Sequence, residues 1–254
     1  MSIGDYAKID VGNRHLLSPS SMTTFFDNPR VYYEKNIVCT TTFSGNTFSV
    51  LGTIIHYCIE KYYSRIPIDR VEIEDFISDY TFNPDVDVAY LSKHWYETYS
   101  TVITKLPAIA PDKMEYETVA ILDDVCAVGG TVDYRRGNTI GDYKTVKSLK
   151  SDIGEHKWQL MLYAWCDKLN DLYTDTLEVT YIQRPTDGHI SEKTGKLIGI
   201  KRPDVKTVTY TITDKDWMDI EKAIYLEADT YKLVKANPEI AHLVYRNNPL
   251  SFRV

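Results

Sequence analysis

The segment TVDYRRGNTIGDYKT, residues 131–145, strongly limits what this chain can fold into. Gly137 and Asn138 are a two-residue turn signal between two runs of extended-type residues, a pattern typical of a tight β-hairpin. If these two residues form the loop, strand pairing outward from it places Asp133 directly opposite Asp142. The sequence therefore predicts two like charges that face each other across an antiparallel pair.

Two opposed carboxylates need a compensating charge. Facing residues on antiparallel strands have Cβ atoms roughly 5 Å apart, and like charges there are destabilising. Strand alternation puts Lys144 on the same face as Asp142 and Tyr143 on the other face, so one lysine offsets the repulsion only in part. A divalent cation would offset it fully, because carboxylate oxygens are the ligands that Mg²⁺ prefers. The alternative is a solvated hairpin whose outer face carries an ordinary charge cluster.

Helical periodicity and turn signals around the hairpin predict a mixed α/β chain. An N-terminal helix broken by Pro29 and two apolar-periodic helices precede a three-stranded meander, and a helix, two strands and a long helix capped by Asp214 follow it. This order favours a mixed sheet. We expect one domain over residues 1–254, with a core at about 18–235 and an irregular N-terminus at 1–17. The later helices are predicted at 49–65, 87–106, 154–170 and 214–237.

Composition restricts the function classes. The net charge of −7 argues against a general polyanion binder, although it is compatible with a local basic groove. The chain lacks an apolar run of membrane-spanning length and the layout of a signal peptide, so we expect a soluble, cytoplasmic protein with no membrane partner. Because the cysteines form no CxxC pair, we expect free thiols that mostly fill the core: Cys39, Cys58, Cys126 and Cys166.

Five short motifs occur in order over roughly residues 18–170. They are SPSSMTTF, GTIIH, GGTVD, DYK and QLMLY, and their key residues are Gly52, His56, Asp133, Asp142, Lys144, Gln159 and Tyr163. Each motif alone is weak, but five in this order form a strong signal. The chain resembles the PD-(D/E)XK nuclease superfamily, and specifically its RecB-like exonuclease branch. This resemblance implies a restriction-endonuclease-like α/β core with a mixed central β-sheet flanked by helices.

The resemblance also implies a role for each matching residue. Asp133 and Asp142 correspond to metal-binding carboxylates, the backbone carbonyl of Tyr143 to a further oxygen ligand, and His56 to an additional metal ligand. Lys144 corresponds to the catalytic lysine, which is expected to orient water or stabilise the transition state, since neighbouring carboxylates raise its pKa. The remaining implied site residues are Gln159 and Tyr163, near the phosphate or the DNA strand, and a first-strand glutamate, for which Glu117 is preferred over Glu115. As a structural alternative, Gln159 and Tyr163 form the polar edge of a buried helix face.

One departure from the branch concerns an iron–sulfur cluster that many relatives carry. Their first cluster cysteine precedes a proline at the end of the first helix, and three more lie near the C-terminus. Here the first position is Asn28 before Pro29, and no cysteine follows residue 167. We therefore expect no iron–sulfur cluster, and we expect packing to supply the rigidity that the cluster lends to relatives.

The resemblance predicts a Mg²⁺- or Mn²⁺-dependent deoxyribonuclease, with one or two ions, that acts as an exonuclease on single-stranded or linear DNA ends in recombination, repair or replication. A separate helicase or recombinase is an expected partner. One alternative is a nuclease-fold binding or scaffold subunit of a DNA-processing complex. A structure-specific endonuclease and an RNA nuclease also stay open, because loops and grooves set the substrate.

Overall fold

The computed structural model describes residue 3 and residues 9–38, 45–190 and 193–245, except for the side chains of His189, Ile198 and His242. The helices are α1 Pro19–Asp27, α2 Pro29–Asn36, α3 Thr47–Tyr63, α4 Arg70–Ser78, α5 Val88–Lys105, α6 His156–Leu169, α7 Asp214–Ala236 and α8 Ala241–Val244. The strands are β1 His15–Leu17, β2 Lys113–Ile121, β3 Cys126–Arg136, β4 Thr139–Val146, β5 Thr176–Gln183, β6 His189–Ile190, β7 Leu197–Ile198 and β8 Asp204–Thr211. Among the helices described, none is long and apolar enough to cross a bilayer.

A mixed six-stranded sheet forms the centre of the fold. Its order is β1-β3-β4-β5-β8, and β2 pairs with β3 as well. The β2–β3, β3–β4 and β5–β8 pairs are antiparallel, whereas β1–β3 and β4–β5 are parallel. The parallel step from β4 to β5 is connected through α6, as a crossover connection requires. The predicted fold class, a mixed central sheet flanked by helices, is confirmed.

Helices cover both faces of the sheet. The first face carries α1, α6 and α7 and buries a cluster that includes Met22, Leu160, Val179 and Ile224. The second face carries α3, α4 and α5, and its cluster includes Leu51, Ile73, Trp95 and Tyr143. Residues of β4 alternate between the two clusters, because successive side chains on a strand point to opposite faces.

A third, aromatic cluster joins the N-terminal helices to the C-terminal ones. Phe25 of α1 and Tyr32 of α2 pack with Val234 of α7, Ala241 of α8 and Tyr245. Asn28, which lies between α1 and α2, accepts a hydrogen bond from the backbone N–H of Val31 and so caps α2. The two ends of the described chain are therefore held together by ring packing.

Helix boundaries follow local chemistry closely. The chain breaks at Asn28-Pro29 between α1 and α2, as the sequence predicts. The last helix differs from its prediction at one residue, since its N-cap is Thr213 and not Asp214. Thr213 accepts from the N–H of Asp216, and the Asp216 carboxylate accepts from the N–H of Thr213, which completes a capping box.

The sequence does not predict several of these elements, among them β1, α4 and the β6–β7 pair. Strand β1 lies inside the stretch 1–17 that was expected to be irregular, and it pairs with the start of β3. Helix α4 follows a short turn after α3 and packs on α5. The cysteine prediction is confirmed at Cys58, Cys126 and Cys166, which are free and buried, whereas Cys39 lies outside the described residues.

Candidate metal and catalytic site

The hairpin forms with the predicted register but opens at the predicted aspartate pair. Tyr134 pairs with Gly141, and this is the last backbone pair between β3 and β4. One step further, the Asp133 carboxylate accepts a hydrogen bond from the backbone N–H of Tyr143 at 2.6 Å. Asp133 and Asp142 are thus not a ladder pair. The two strands separate there, and a side chain of one strand bonds to the backbone of the other.

The opening follows from how the neighbours of β3 are arranged. Along one edge, β2 pairs with β3 from residue 127 to residue 135. On the other edge, β1 occupies residues 126–128 and β4 occupies residues 134–136. Residues 129–133 have no strand partner on that edge within the described chain. Since β4 is fully paired with β5 on its far side, the gap is a fixed feature of the sheet.

Helix α3 brings His56 to this opening. A Cβ atom added at Gly52 would lie 3.2 Å from Oγ1 of Thr145, so the glycine lets the helix approach β4 closely. One turn later, Nε2 of His56 lies 2.7 Å from the carbonyl oxygen of Tyr143. Because a carbonyl can only accept, Nε2 carries a proton, and in the neutral tautomer that has this proton the lone pair is on Nδ1. Nδ1 lies 3.6 Å from Oδ2 of Asp133.

The glutamate that the structure places beside His56 is Glu115, and not Glu117, which the sequence favours. Oε1 of Glu115 lies 3.9 Å from Nδ1 of His56, whereas Glu117 is exposed. Ligand atoms of His56, Glu115 and Asp133 all lie within 4.8 Å of one another, as a shared metal ion would require. The strand therefore contributes one carboxylate to the group and leaves the other in solvent.

A local backbone distortion separates Glu115 from Glu117, which would share a face on a regular strand. Glu115 has φ of +43°, a left-handed conformation that is uncommon outside glycine. It is unpaired in the sheet, although Met114 before it pairs with Tyr134 and Tyr116 after it pairs with Val132. Met114 packs into the cluster under α3, but Tyr116 packs into the cluster under α6. On a regular strand these two side chains would share a face. The side chains before and after Glu115 therefore point to opposite faces of the sheet.

Asp142, Lys144 and Gln159 form the other half of the site, on the α6 face. Nζ of Lys144 donates to Oδ1 of Asp142 at 2.8 Å, and Nε2 of Gln159 donates to the same oxygen at 2.9 Å. The predicted sharing of a face by Asp142 and Lys144 is confirmed. Oδ2 of Asp142 is buried and has no hydrogen-bond partner among the residues that the structure describes. It is a carboxylate oxygen that still needs a positive partner.

Burial and mutual repulsion set the pKa values here. Burial, and then the charge of Asp133, raise the pKa of Asp142 to about 7, although Lys144 opposes the rise. Burial and Asp133 likewise raise the pKa of Glu115 to about 8. For Lys144, burial alone would lower the pKa, but Asp142 and Asp133 outweigh it and the pKa is raised. The lysine is thus a stable cation, which argues against a role as a general base.

Tyr163, one turn after Gln159, packs under the opening. A Cβ atom at Gly130 would lie 2.6 Å from Cε1 of the Tyr163 ring, so the glycine is needed for the ring to fit. At Gly129 a Cβ atom would lie 2.4 Å from the carbonyl oxygen of Thr118, so this glycine lets β2 and β3 approach closely. Tyr163 is buried at this place.

A comparison with protein families matches the chain over most of its length. The sequence profile of the PD-(D/E)XK nuclease superfamily covers residues 16–239. The chain belongs to this superfamily. Its nucleases act on nucleic acids and generally use divalent metal ions, and the donor set described above suits that use. The group consists of three carboxylates, a backbone carbonyl and an imidazole, and one oxygen of the Asp142 carboxylate is buried without a hydrogen-bond partner among the described residues. A set made mostly of oxygen donors suits a divalent cation.

Solved structures support the fold. A crystal structure named "Putative exonuclease", from Eubacterium rectale, is similar with 14% identity and a TM-score of 0.54, covering 92% of this chain and 82% of that chain. A structure named SSO0001 covers 72% of this chain and 88% of that one with 15% identity, but its TM-score of 0.28 supports no conclusion. No curated protein matches the chain significantly.

Proposed function

We propose that this nuclease-superfamily protein is a Mg²⁺- or Mn²⁺-dependent DNA exonuclease of the RecB-like type. The observation that carries the proposal is the meeting of Asp133, Asp142 and Lys144 at the opening between β3 and β4, with His56 entering from α3. The Gly52–His56 arrangement supports the RecB-like assignment, since the glycine is what brings the histidine to Tyr143. The proposed substrate is a linear DNA end that is processed in recombination, repair or replication.

Five groups are proposed to hold one or two metal ions: the side chains of His56, Glu115, Asp133 and Asp142 and the backbone carbonyl of Tyr143. When bound, a divalent cation lowers the pKa of a water ligand and neutralises charge on the phosphate oxygens. The protein's own contribution is to keep these donors close together without metal, through the Asp133–Tyr143 and His56–Tyr143 hydrogen bonds. Little reorganisation is then needed on binding.

Lys144 is proposed to stabilise negative charge on the phosphate that is being cleaved. Its raised pKa keeps it positive, and its hydrogen bond to Asp142 fixes the position of Nζ. Gln159 is proposed to orient the Asp142 carboxylate by donating to the same oxygen as Lys144. Tyr163 is proposed to support the opening, with its ring packed against Gly130.

We also propose that this protein functions without an iron–sulfur cluster. Asn28 caps α2 at the place where relatives carry a cysteine, and the aromatic cluster of Phe25, Tyr32 and Tyr245 joins the N-terminal helices to the C-terminal ones. This aromatic packing supports the proposal that the fold needs no iron–sulfur cluster.

The test is a cleavage assay on end-labelled single-stranded, duplex and circular DNA and on RNA, with Mg²⁺, Mn²⁺ or EDTA. We expect metal-dependent degradation of linear DNA that spares circles, and the label position gives the direction of digestion. Asp142→Asn and Lys144→Ala should each lower the rate at least 100-fold, because each removes charge from the reacting centre. Glu117→Gln is the matched control and should cleave like the wild-type protein.

Four outcomes would contradict parts of the proposal. Cleavage of circular DNA would indicate an endonuclease. Cleavage of RNA alone would show that the substrate is RNA and not DNA. DNA binding without cleavage under any metal would favour a binding subunit. Wild-type turnover in Asp142→Asn, in a variant with unchanged thermal unfolding, would show that the site is assigned to the wrong residues.

A further inference from the structure

A short two-stranded arm extends from one edge of the central sheet. The arm comprises the described residues 184–190 and 193–203, between the end of β5 and the start of β8. It contains the β6–β7 pair and a bridge between Thr186 and Lys201. It belongs to neither helical layer. The fold does not need it to connect β5 to β8, since two adjacent antiparallel strands can be joined by a turn of two residues.

The arm begins beside the strand that carries Asp142 and Lys144. The backbone N–H of Arg184 donates to the carbonyl of Val146 at 2.9 Å, and Val146 lies two residues after Lys144 on β4. At the other end of the arm, Nζ of Lys201 lies 3.3 Å from Oγ of Ser148. Both ends of the arm are therefore fixed to the segment that leads directly out of the candidate site.

The charge of the arm is opposite to that of the whole protein. In the sequence, the stretch 184–203 contains five basic residues and two acidic ones, Asp187 and Glu192, and so has a net charge of +3, although the chain as a whole carries −7. The basic residues are Arg184, Lys193, Lys196, Lys201 and Arg202. Lys193, Lys196 and Arg202 are exposed, and none of the three forms an ion pair with a residue that the structure describes. Solvent-exposed cations without partners, concentrated in one segment of an acidic protein, form a local attraction for polyanions.

Large apolar side chains are exposed among these cations. Ile190 is 68% exposed, Leu197 77% and Ile200 78%. Ile190 and Leu197 are paired across the two strands of the arm, so that two of these apolar side chains lie next to each other. The combination of exposed lysines with exposed isoleucine and leucine matches the chemistry of an unpaired nucleic-acid strand, which offers phosphates on its backbone and apolar faces on its bases.

We propose that the arm binds the single-stranded part of the nucleic-acid substrate next to the cleavage site. Lys193, Lys196 and Arg202 contact phosphates, and Ile190 and Leu197 contact the faces of unpaired bases. This proposal rests on the proposed function, since it concerns the path of that substrate. It adds that the arm, a segment outside the five sequence motifs, contributes to binding of the nucleic-acid strand beyond the cleavage site.

The first experiment measures binding to a fluorescein-labelled single-stranded oligonucleotide by anisotropy, with the inactive Asp142→Asn protein as the parent. In this background, Lys193→Ala combined with Lys196→Ala should weaken binding roughly tenfold at 0.15 M salt and flatten the salt dependence of log K by about 1.4, from about 0.7 per lost phosphate contact. Lys35→Ala combined with Lys222→Ala removes the same charge from exposed positions outside the arm and should leave binding unchanged.

The second experiment tests the base contacts. Ile190→Ser combined with Leu197→Ser should weaken binding to the oligonucleotide several-fold but should not change binding to an abasic strand of the same length. All of these substitutions are at exposed positions, and thermal unfolding of each variant checks that the fold is kept.

Failure of this proposal differs from failure of the proposed function. If the wild-type protein degrades DNA and the arm variants bind like their parent, the arm proposal is overturned and the function stands. An equal loss in the Lys35/Lys222 control would show a general charge effect and would also overturn it. Unchanged DNA binding is the result expected if the arm docks a protein instead. Absence of any cleavage by the wild-type protein would count against the proposed function alone.

Discussion

Replacing Glu227 with glutamine should remove a loss of stability that develops as the pH rises. Glu227 lies on α7 and is completely buried, and its Oε1 accepts a hydrogen bond from Oγ of Ser21 on α1 at 2.8 Å. Burial raises the pKa of this carboxyl to about 8, although hydrogen bonds from Ser21 and Tyr32 oppose the rise. The folded protein therefore prefers the protonated form, which is neutral.

The sign of the effect follows from proton binding in the two states. Below a pH of about 4.5, the usual pKa, Glu227 is protonated in both the folded and the unfolded protein, so it does not make the free energy of unfolding depend on pH. Between there and about 8 the unfolded chain has lost this proton and the folded chain retains it, so stability falls as the pH rises. The slope is about 1.4 kcal/mol per pH unit, and the accumulated loss is roughly 5 kcal/mol.

The assay is urea unfolding followed by tryptophan fluorescence at several pH values from about 5 to about 8. Other groups also titrate in this range, so the quantity to compare is the variant minus the wild-type free energy of unfolding. Glutamine keeps the size and an acceptor for Ser21, so we expect this difference to rise with pH by several kcal/mol in favour of Glu227→Gln. Glu221→Gln, at an exposed position of the same helix, should give a flat difference. A flat difference for Glu227→Gln as well would refute the reasoning.

Three further predictions concern the site and its surroundings. Glu115→Gln should weaken binding of Mn²⁺, measured by isothermal titration calorimetry, whereas Glu117→Gln should not, because only Glu115 lies near His56. Gly52→Val should weaken Mn²⁺ binding in the same assay, because the valine side chain would push α3 away from β4. The same substitution should lower the free energy of unfolding by about 1–3 kcal/mol. Arg135→Met should lower the free energy of unfolding by about 3–5 kcal/mol in urea, because it leaves a buried aspartate without its cation.

The sequence predicts well where one local rule decides the outcome. The Gly137-Asn138 turn sets the register of the hairpin, and strand alternation then puts Asp142 and Lys144 on one face. The break at Pro29 follows because its ring fixes φ and it has no N–H to donate to a continuing helix. These features depend on residues within a few positions of one another, and a single sequence contains all of that information.

Features that depend on distant partners were missed. The backbone at Glu115 takes a positive φ within a strand of ordinary residues, and no local signal marks it. Strand β1 has three residues and depends on pairing with β3, more than 100 positions later in the chain. The β6–β7 pair is only two residues long on each side, which is too short for alternation to be recognised. Tertiary contacts determine each of these elements, and propensity does not.

The distortion at Glu115 persists because a buried network fixes the strands immediately beside it. Asp167 of α6 is fully buried and accepts hydrogen bonds from Tyr116 and Thr118 of β2 and from Arg135 of β3. Tyr116 follows Glu115 directly, and Arg135 lies two residues after Asp133 on β3. An unfavourable backbone conformation survives only where its surroundings determine it more strongly than its own preference does. The Asp167 network therefore acts as the support that keeps the carboxylates of β2 and β3 directed at His56, and loss of Arg135 should disturb the site as well as the core.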